Sequence, residues 1–473
     1  MKKPKLKWSY LIYIAALSAA IFLTSVTIDN ILLQKYLKNG MHYEAWDLVY
    51  NNPLSFVLCT SAKDDGIKFF DVMATHKTDE SNKISGEWTL PDFKGWSCAE
   101  VACALKNIGQ PYEVLFIEAP EMQHNVVVKQ EPAFGESVSK DYTVVLYANS
   151  AYGKEITSYY FPLYTGTITE CGEWLILEEY NDIYKCHTDF SDKEKIYECI
   201  NDFSKAIISI NAHENTIYFT DSTNDYKEEI FYLISLSLDG RDSKILYESD
   251  RNLIISDYYD DTLYFFKGGE YSLKTNEFVD YETETRSIIY NDMVYSFTNE
   301  KLDEAGEYKY NYECDLFISK YGNYDSSNQH VMSANGIIRY VVPYKNILTI
   351  GFQGNNGEEK IYVYNSDTNE MQILAEETYT DNILRLNTII FNENLFILSA
   401  QNYDYVYSLD TLQRKHHTII TKSDSAKNFS MSVCRYGNYL FPQEFIYREY
   451  IYNMITDEYE KVDSFESPEK REE

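Results

Sequence analysis

From about Thr165 to about Val462 the apolar positions come in short runs separated by polar turns, and the runs recur as a unit. Each unit opens on a β-branched run and a polar turn. A second apolar run follows, headed by Asn or Asp, as in Asn215-Thr216-Ile217-Tyr218-Phe219, Asp261-Thr262-Leu263-Tyr264-Phe265 and Asn394-Leu395-Phe396-Ile397. A third run ends in a tight turn and a short fourth run closes the unit. Short runs rich in Ile, Tyr, Phe and Val suit a pleated, half-buried surface, so each predicts a strand. The clearest unit predicts strands over Ala206–Ile210, Thr216–Thr220, Ile230–Leu238 and Lys244–Tyr247, with the turn signal Asp239-Gly240 before the last.

The second strands centre near Leu175, Ile217, Leu263, Val294, Ile347, Leu395 and Tyr439, in steps of 42, 46, 31, 53, 48 and 44 residues. Most of these steps match four-stranded propeller blades. One such blade cannot bury its two faces, whereas a ring of them can. The expected fold class is therefore all-β, a β-propeller of seven four-stranded blades over residues 165–463. A β-sandwich or a β-solenoid is the alternative, and the even spacing disfavours both. The short step implies a trimmed third blade, and the long one a polar loop over Asn299–Asn311. Ring closure requires a partner for the last blade, expected from the region before Thr165.

Ahead of the repeat the pattern changes. Residues 1–8 are basic, with Lys2, Lys3, Lys5 and Lys7, and Ser9–Ile28 carries no charge. Twenty helical residues span about 30 Å, one hydrocarbon core, so a transmembrane helix over 9–28 is expected, with the basic end inside. That reading places the protein in the cell membrane as a single-pass, signal-anchored chain with its bulk extracytoplasmic. A cleaved signal peptide is the rival, with a shorter apolar core. Residues 29–44 form a juxtamembrane segment, with a helix expected over Ile31–Tyr50. Residues 45–164 are either a small α+β unit or degenerate blades. Leu54–Leu58 and Gly66–Val72 predict strands there. Ser97–Ile108 predicts a helix that Ser97 caps, with Glu100 at the capping-box position. Residues 464–473 are a charged tail, expected to be disordered.

Charge narrows the partners. The chain has 473 residues and a formal net charge of -32, which opposes nucleic acid. A protein or glycan is the expected partner, with the membrane reached through the N-terminal helix alone. No cofactor is implied, and no HExxH, GxSxG, phosphate loop or dinucleotide fingerprint occurs. No Cys/His spacing fits zinc. Asp221-Ser222-Thr223-Asn224-Asp225 offers oxygen ligands but lacks the Gly and Glu of a calcium loop. Asp257, Asp260 and Asp261 surround Tyr258-Tyr259 as an acidic cluster. Among eight cysteines, Cys186 and Cys199 flank a turn centred in Ser191-Asp192-Lys193-Glu194; a hairpin there sets them opposite each other, as a disulfide or as two buried thiols. Among 45 tyrosines, Tyr308, Tyr310, Tyr321 and Tyr324 fall in or beside the polar loops after Val294 and are the candidate ligand-binding residues. No catalytic residue stands out.

The run Phe231-Tyr232-Leu233-Ile234-Ser235-Leu236-Ser237-Leu238-Asp239-Gly240 resembles the blade signature of bacterial surface propellers similar to the YWTD-type propeller of low-density lipoprotein receptor relatives and to the TolB-like propeller. Tyr362–Asp367 and Tyr405–Asp410 are weaker copies without the Gly, and no copy keeps Tyr-Trp-Thr-Asp. The resemblance covers about the last 300 residues and implies a fold but no catalytic residue. Two functions follow as expectations. The first is a membrane-anchored extracytoplasmic binding or sensing module for a protein or glycan. The second is an exported glycan-active hydrolase or lyase.

Overall fold

The computed structural model describes residues 24, 26–39, 42–50, 65–76, 83–84, 86–119, 122–150, 168–179, 182–199, 209–225, 228–251, 253–265, 269–280, 286–290, 293–305, 309–321, 328–378, 386–391, 394–399, 404–408, 411–412, 414–418, 433–436, 439–442, 450–453 and 458–461. They divide into two compact units. The first comprises residues 1–94, 101–113 and 129–146, the second residues 95–100, 114–128 and 147–473.

The first unit is α+β. The helix Asp65–Thr75 buries Ile67, Phe69, Phe70, Val72, Met73 and Ala74. Phe69 packs 4.9 Å from the ring of Phe93 and 6.0 Å from that of Trp88. The strand expected over Gly66–Val72 is thus a helix: the apolar residues recur at three- and four-residue intervals, which collects them on one helical face. Glu87–Thr89 pairs with Ser137–Ser139 in this unit, and Trp88 Nε1 donates to Gln110 Oε1 at 2.8 Å. A three-stranded sheet has the order Tyr112–Ile117, Val144–Asn149, Val127–Glu131.

The transmembrane expectation is corrected. Among the described residues no helix is long and apolar enough to cross a membrane. The described helix over residues 26–38 carries Asp29, Lys35 and Lys38 and buries Leu33 fully in protein, so its apolar run is broken. Residues 9–23 and 25 lie outside the described residues. The signal-anchored, single-pass cell-membrane placement, the extracytoplasmic assignment that followed from it and the membrane as partner are withdrawn with the helix. Of the juxtamembrane helix expected over Ile31–Tyr50, residues 31–38 and His42–Tyr50 are helical, and residues 40–41 lie outside the described residues.

Among the described residues the second unit carries seven consecutive four-stranded antiparallel sheets, each with its strands in chain order. Their first strands are Ile168–Cys171, Ile210–His213, Ile255–Tyr259, Arg286–Tyr290, Gly336–Tyr344, Leu386–Phe391 and Val433–Tyr436. Every one of the seven marker residues lies in the second strand of its sheet, from Leu175 in Trp174–Glu179 to Tyr439 in Tyr439–Pro442. Adjacent sheets bury their apolar faces against each other. Ile176, Ile183 and Ile196 of the first pack on Ile217, Phe219 and Ile234 of the second. Leu316, Ile318 and Phe297 of the fourth pack on Ile338, Ile350 and Phe352 of the fifth. The first strand of the seventh sheet lies against that of the first, so the series closes in a propeller-like arrangement.

That closure differs from the sequence expectation. Among the described residues all four strands of the first sheet come from residues 168–197 and all four of the seventh from 433–461, and none from before Thr165 joins either sheet. Open outer edges are guarded another way. In five sheets the third-to-fourth strand register slips by one residue, leaving an extra residue on the outer strand: Ile196, Leu246, Val331, Leu374 and Lys415. Such a bulge bends the edge and blocks regular pairing with another chain. The third sheet is small, its last two strands being Glu270–Ser272 and Glu277–Val279. The polar loop expected over Asn299–Asn311 is instead a hairpin continuing Met293–Ala305 into Lys309–Lys320, with Asn299 opposite Cys314 and Ala305 opposite Lys309. Its polar residues are compatible with strand because a ladder satisfies the backbone whatever the side chains are.

Candidate functional site

In each of the seven sheets the last pair between the first two strands encloses two residues of the chain: Cys171↔Trp174, His213↔Thr216, Tyr259↔Thr262, Tyr290↔Met293, Tyr344↔Ile347, Phe391↔Asn394 and Tyr436↔Tyr439. Two-residue turns match the strand twist only with positive φ, which Gly, Asn and Asp tolerate best. Gly172 (φ 59), Glu214 (φ 50), Asp260 (φ 44), Asp261 (φ 54) and Lys345 (φ 53) adopt it. The residue that closes the first strand is aromatic in six sheets: His213, Tyr259, Tyr290, Tyr344, Phe391 and Tyr436. In the first sheet Trp174 takes the other side of the turn. Because a meander reverses at each turn, the third-to-fourth strand turns lie at the same end of each sheet.

The third sheet concentrates chemistry at this end. His213 stacks on Tyr258 at 4.0 Å, and Tyr258 lies 5.9 Å from Tyr218. The Tyr258 hydroxyl donates to Asp261 Oδ1 at 2.9 Å. Lys274, in the third-to-fourth strand turn, reaches Asp260 at 3.0 Å and Asp261 at 3.2 Å. Beside them Tyr321 meets Tyr259 edge-on at 4.3 Å, and its hydroxyl lies 3.1 Å from that of Tyr264. Tyr259 and Tyr321 are half-buried, while Asp260, Asp261 and Lys274 face solvent.

These contacts set the charges. The hydrogen bond from Tyr258, then Lys274, holds the Asp261 carboxyl below its ordinary value. Hydrogen bonds to Asp260 and Asp261 hold the Lys274 ammonium above its own. Burial, with Asp261 beside it, keeps the Tyr258 phenol protonated. Burial lowers His213, so its ring is neutral at pH 7.

The segment before the repeat reaches this end through the turn of the first sheet. Ser97 Oγ donates to Glu170 Oε2 at 2.7 Å, and Asn125 Nδ2 reaches the same oxygen at 3.2 Å. His124 Nε2 lies 3.0 Å from the Glu170 carbonyl oxygen. Ser97 also accepts the Glu100 N–H at 3.2 Å, the N-cap bond its position predicts for the helix Cys98–Ile108.

Of the candidate tyrosines, Tyr321 belongs to this cluster. Tyr310 lies on Lys309–Lys320, at the opposite end of its sheet. Eleven residue steps along the strand direction separate it from Tyr321, or ~36 Å, so the two do not share a site. Tyr308 and Tyr324 lie outside the described residues. Of the two alternatives for Cys186 and Cys199, a disulfide or two buried thiols, the structure shows no disulfide between them. The hairpin pairs Ile183 with Tyr197, which leaves Cys186 at its turn and Cys199 past its open end, where the thiol donates to Asp221 Oδ1 at 3.2 Å. The oxygen-rich run from Asp221 to Asp225 is part of the strand Thr216–Asp225, and Asp221 is fully buried, accepting from the Tyr197 hydroxyl at 3.0 Å. Among the described residues no group of three His, Cys, Asp or Glu side chains is placed to hold a metal. Of the acidic cluster Asp257, Asp260 and Asp261, the last two both reach Lys274. His213 and Lys274 were missed by sequence reasoning, and the signal available for His213 was an aromatic residue directly before each two-residue turn.

No protein-family model and no curated protein matches the chain. Among solved structures it is similar to dipeptidyl peptidase 4 of Porphyromonas gingivalis, at 11% identity and a TM-score of 0.38, over 64% of this chain and 53% of that one. It is similar to BamB of Moraxella catarrhalis at 9% identity and a TM-score of 0.33, over 60% of this chain and 78% of that one. An oligogalacturonate lyase of Vibrio parahaemolyticus gives 10% identity and a TM-score of 0.31, over 48% and 71%.

Proposed function

We propose that this chain is a glycan-active protein that holds a saccharide across the aromatic-ringed end of its sheets. The observation that carries the reading is the aromatic residue closing the first strand in six of seven sheets, with Trp174 in the seventh case. Exposed or half-buried rings suit sugar faces, and phenol hydroxyls beside them suit sugar hydroxyls; among the described side chains at this end the tyrosines of this kind are Tyr259, Tyr321 and Tyr344. Tyr259 and Tyr321 form the platform, and Asp260, Asp261 and Lys274 the polar rim. In the same reading the run Phe231–Gly240 reflects kinship with YWTD-type and TolB-like propellers.

The charges favour hydrolysis over elimination. Glycoside hydrolysis passes through a cationic, oxocarbenium-like state, which an ionised Asp261 stabilises. Elimination on a uronate builds negative charge, which the same carboxylates oppose. The test is a glycan panel incubated with the whole chain, read for retention and for new reducing ends. Retention and release of shorter sugars are expected. The double variant Tyr259→Ala/Tyr321→Ala should weaken retention about tenfold. A panel from which no glycan is retained overturns the reading.

A further inference from the structure

We infer that the saccharide held at this mouth is neutral, and that Asn211 and His213, on the face of the second sheet turned to the third, bind its hydroxyls; this rests on the glycan reading above. The first strand of the second sheet lies beside that of the third. Ser209 Oγ accepts the Ile255 N–H at 3.0 Å, and His213 stacks on Tyr258. Side chains two residues apart on a strand share a face, so Asn211, between these contacts, is turned the same way. Tyr218 opposes Asn211, and Thr220 and Ser222 follow on that face of the second strand.

This face differs from its reverse. Ile210, Ala212, Ile217 and Phe219 form an apolar contact with the first sheet. On the face toward the third sheet, both polar atoms of the Asn211 side chain, His213 Nε2, Thr220 Oγ1 and Ser222 Oγ are buried with no hydrogen-bond partner among the described residues. Asn211, Thr220 and Ser222 are 0% exposed. Buried polar atoms are nearly always hydrogen-bonded. A lone hydroxyl such as that of Thr349, in the fifth sheet, is an isolated exception, whereas here five atoms follow one another along one face.

The row selects its partner's chemistry. The amide and the hydroxyls each donate and accept, and a neutral imidazole nitrogen does one or the other. None of the four residues is charged at pH 7, because burial keeps His213 neutral. A charged group buried among them finds no counter-charge, which is costly. A hydroxyl, donor and acceptor in one group, is the complement, and a saccharide or water supplies it. The row begins at the half-buried His213, which closes its strand at the mouth. His213 and Asn211 are therefore the residues that a sugar chain laid across the mouth meets first, while Thr220 and Ser222 lie deeper and take water.

Calorimetry on the whole chain compares β-linked hexamers of glucose, mannose and galactose with hexamers of galacturonate and of glucosamine, at low and high salt. At least one neutral hexamer should bind about tenfold more tightly than either charged one, with an affinity that salt leaves unchanged. Asn211→Leu keeps the shape and removes both unpartnered atoms. It should weaken that hexamer about tenfold, while the melting temperature without sugar stays at or above the parent's. His213→Phe keeps a ring on Tyr258 and drops the nitrogen; it should weaken the hexamer about threefold, and it replaces Asn211→Leu if that variant does not fold. Thr349→Val should leave the affinity unchanged. Equal or tighter binding of a charged hexamer overturns this inference and leaves the glycan reading standing. So does a neutral hexamer held as tightly by Asn211→Leu and His213→Phe as by the parent, since the row then takes water only. Binding of no hexamer by the parent chain overturns both.

Discussion

Asn125 and Gly172 are joined by a reciprocal pair of hydrogen bonds. Asn125 Nδ2 donates to the Gly172 carbonyl oxygen at 2.9 Å, and the Gly172 N–H donates to Asn125 Oδ1 at 2.7 Å. The side-chain amide thus stands in for a strand at the first turn of the first sheet. Asn125 is fully buried and has φ 53, a conformation Asn tolerates and most residues do not.

Asn125→Ala should therefore destabilise the second unit by about 2–4 kcal/mol, from unpaired buried groups and an unfavourable φ. Urea unfolding measures it. Asn125→Asp keeps one bond only, because a carboxylate cannot donate to Gly172, and sets a second carboxylate beside Glu170. It should also destabilise, and a loss below about 0.5 kcal/mol for both variants is incompatible with the role described.

Stability should depend on pH through His124. Burial lowers its ring to about 4 from an ordinary 6.5. The folded chain then binds this proton less readily than the unfolded chain, so stability rises with pH between those values. The contribution is complete above about 6.5 and is lost as pH falls toward about 4. His124→Gln should flatten this part of the curve, measured as melting temperature across that range. An unchanged slope contradicts the assignment.

Gly351 sits opposite Tyr340 on the neighbouring strand, and a Cβ there would lie 2.3 to 2.8 Å from three atoms of the Tyr340 ring. Tyr340 is buried and cannot swing into solvent. Gly351→Ala should cost about 1–3 kcal/mol as overpacking. Adding Tyr340→Val should recover part of that loss, so a double-variant cycle must show coupling; additive losses would mean the ring is not the obstacle.

No disulfide joins any two of Cys98, Cys103, Cys171, Cys186, Cys199 and Cys314. Reductant should leave the melting temperature unchanged. Mass mapping after alkylation under non-reducing denaturation should find Cys186 and Cys199 both modified. A Cys186–Cys199 linked peptide would refute the hairpin register.

Much of the repeat was legible in the sequence because it is local. An apolar run with period two and an Asn, Asp or Gly turn specify a strand and a tight hairpin from a few residues, and so Leu175 through Tyr439 all mark second strands. The N-cap at Ser97 was legible for the same reason. The candidate site was legible only in pieces. Tyr321 and the Asp260–Asp261 pair were singled out, but not that Tyr259 meets Tyr321 across two sheets or that Lys274 serves both aspartates. Those depend on which turns share an end.

The sequence by itself determined the seven strand groups and the acidic balance, since both are properties of neighbours along the chain. Only the tertiary structure decided the rest. Hairpin register separated Cys186 from Cys199, because one residue of slip moves every partner. Strand length put Tyr310 and Tyr321 at opposite ends of one sheet. The helical burial of Ile67, Phe69 and Phe70 overrode their β propensity. The closure of the seventh sheet on the first, through residues more than two hundred positions apart, is set by how blade faces pack, which no local window contains.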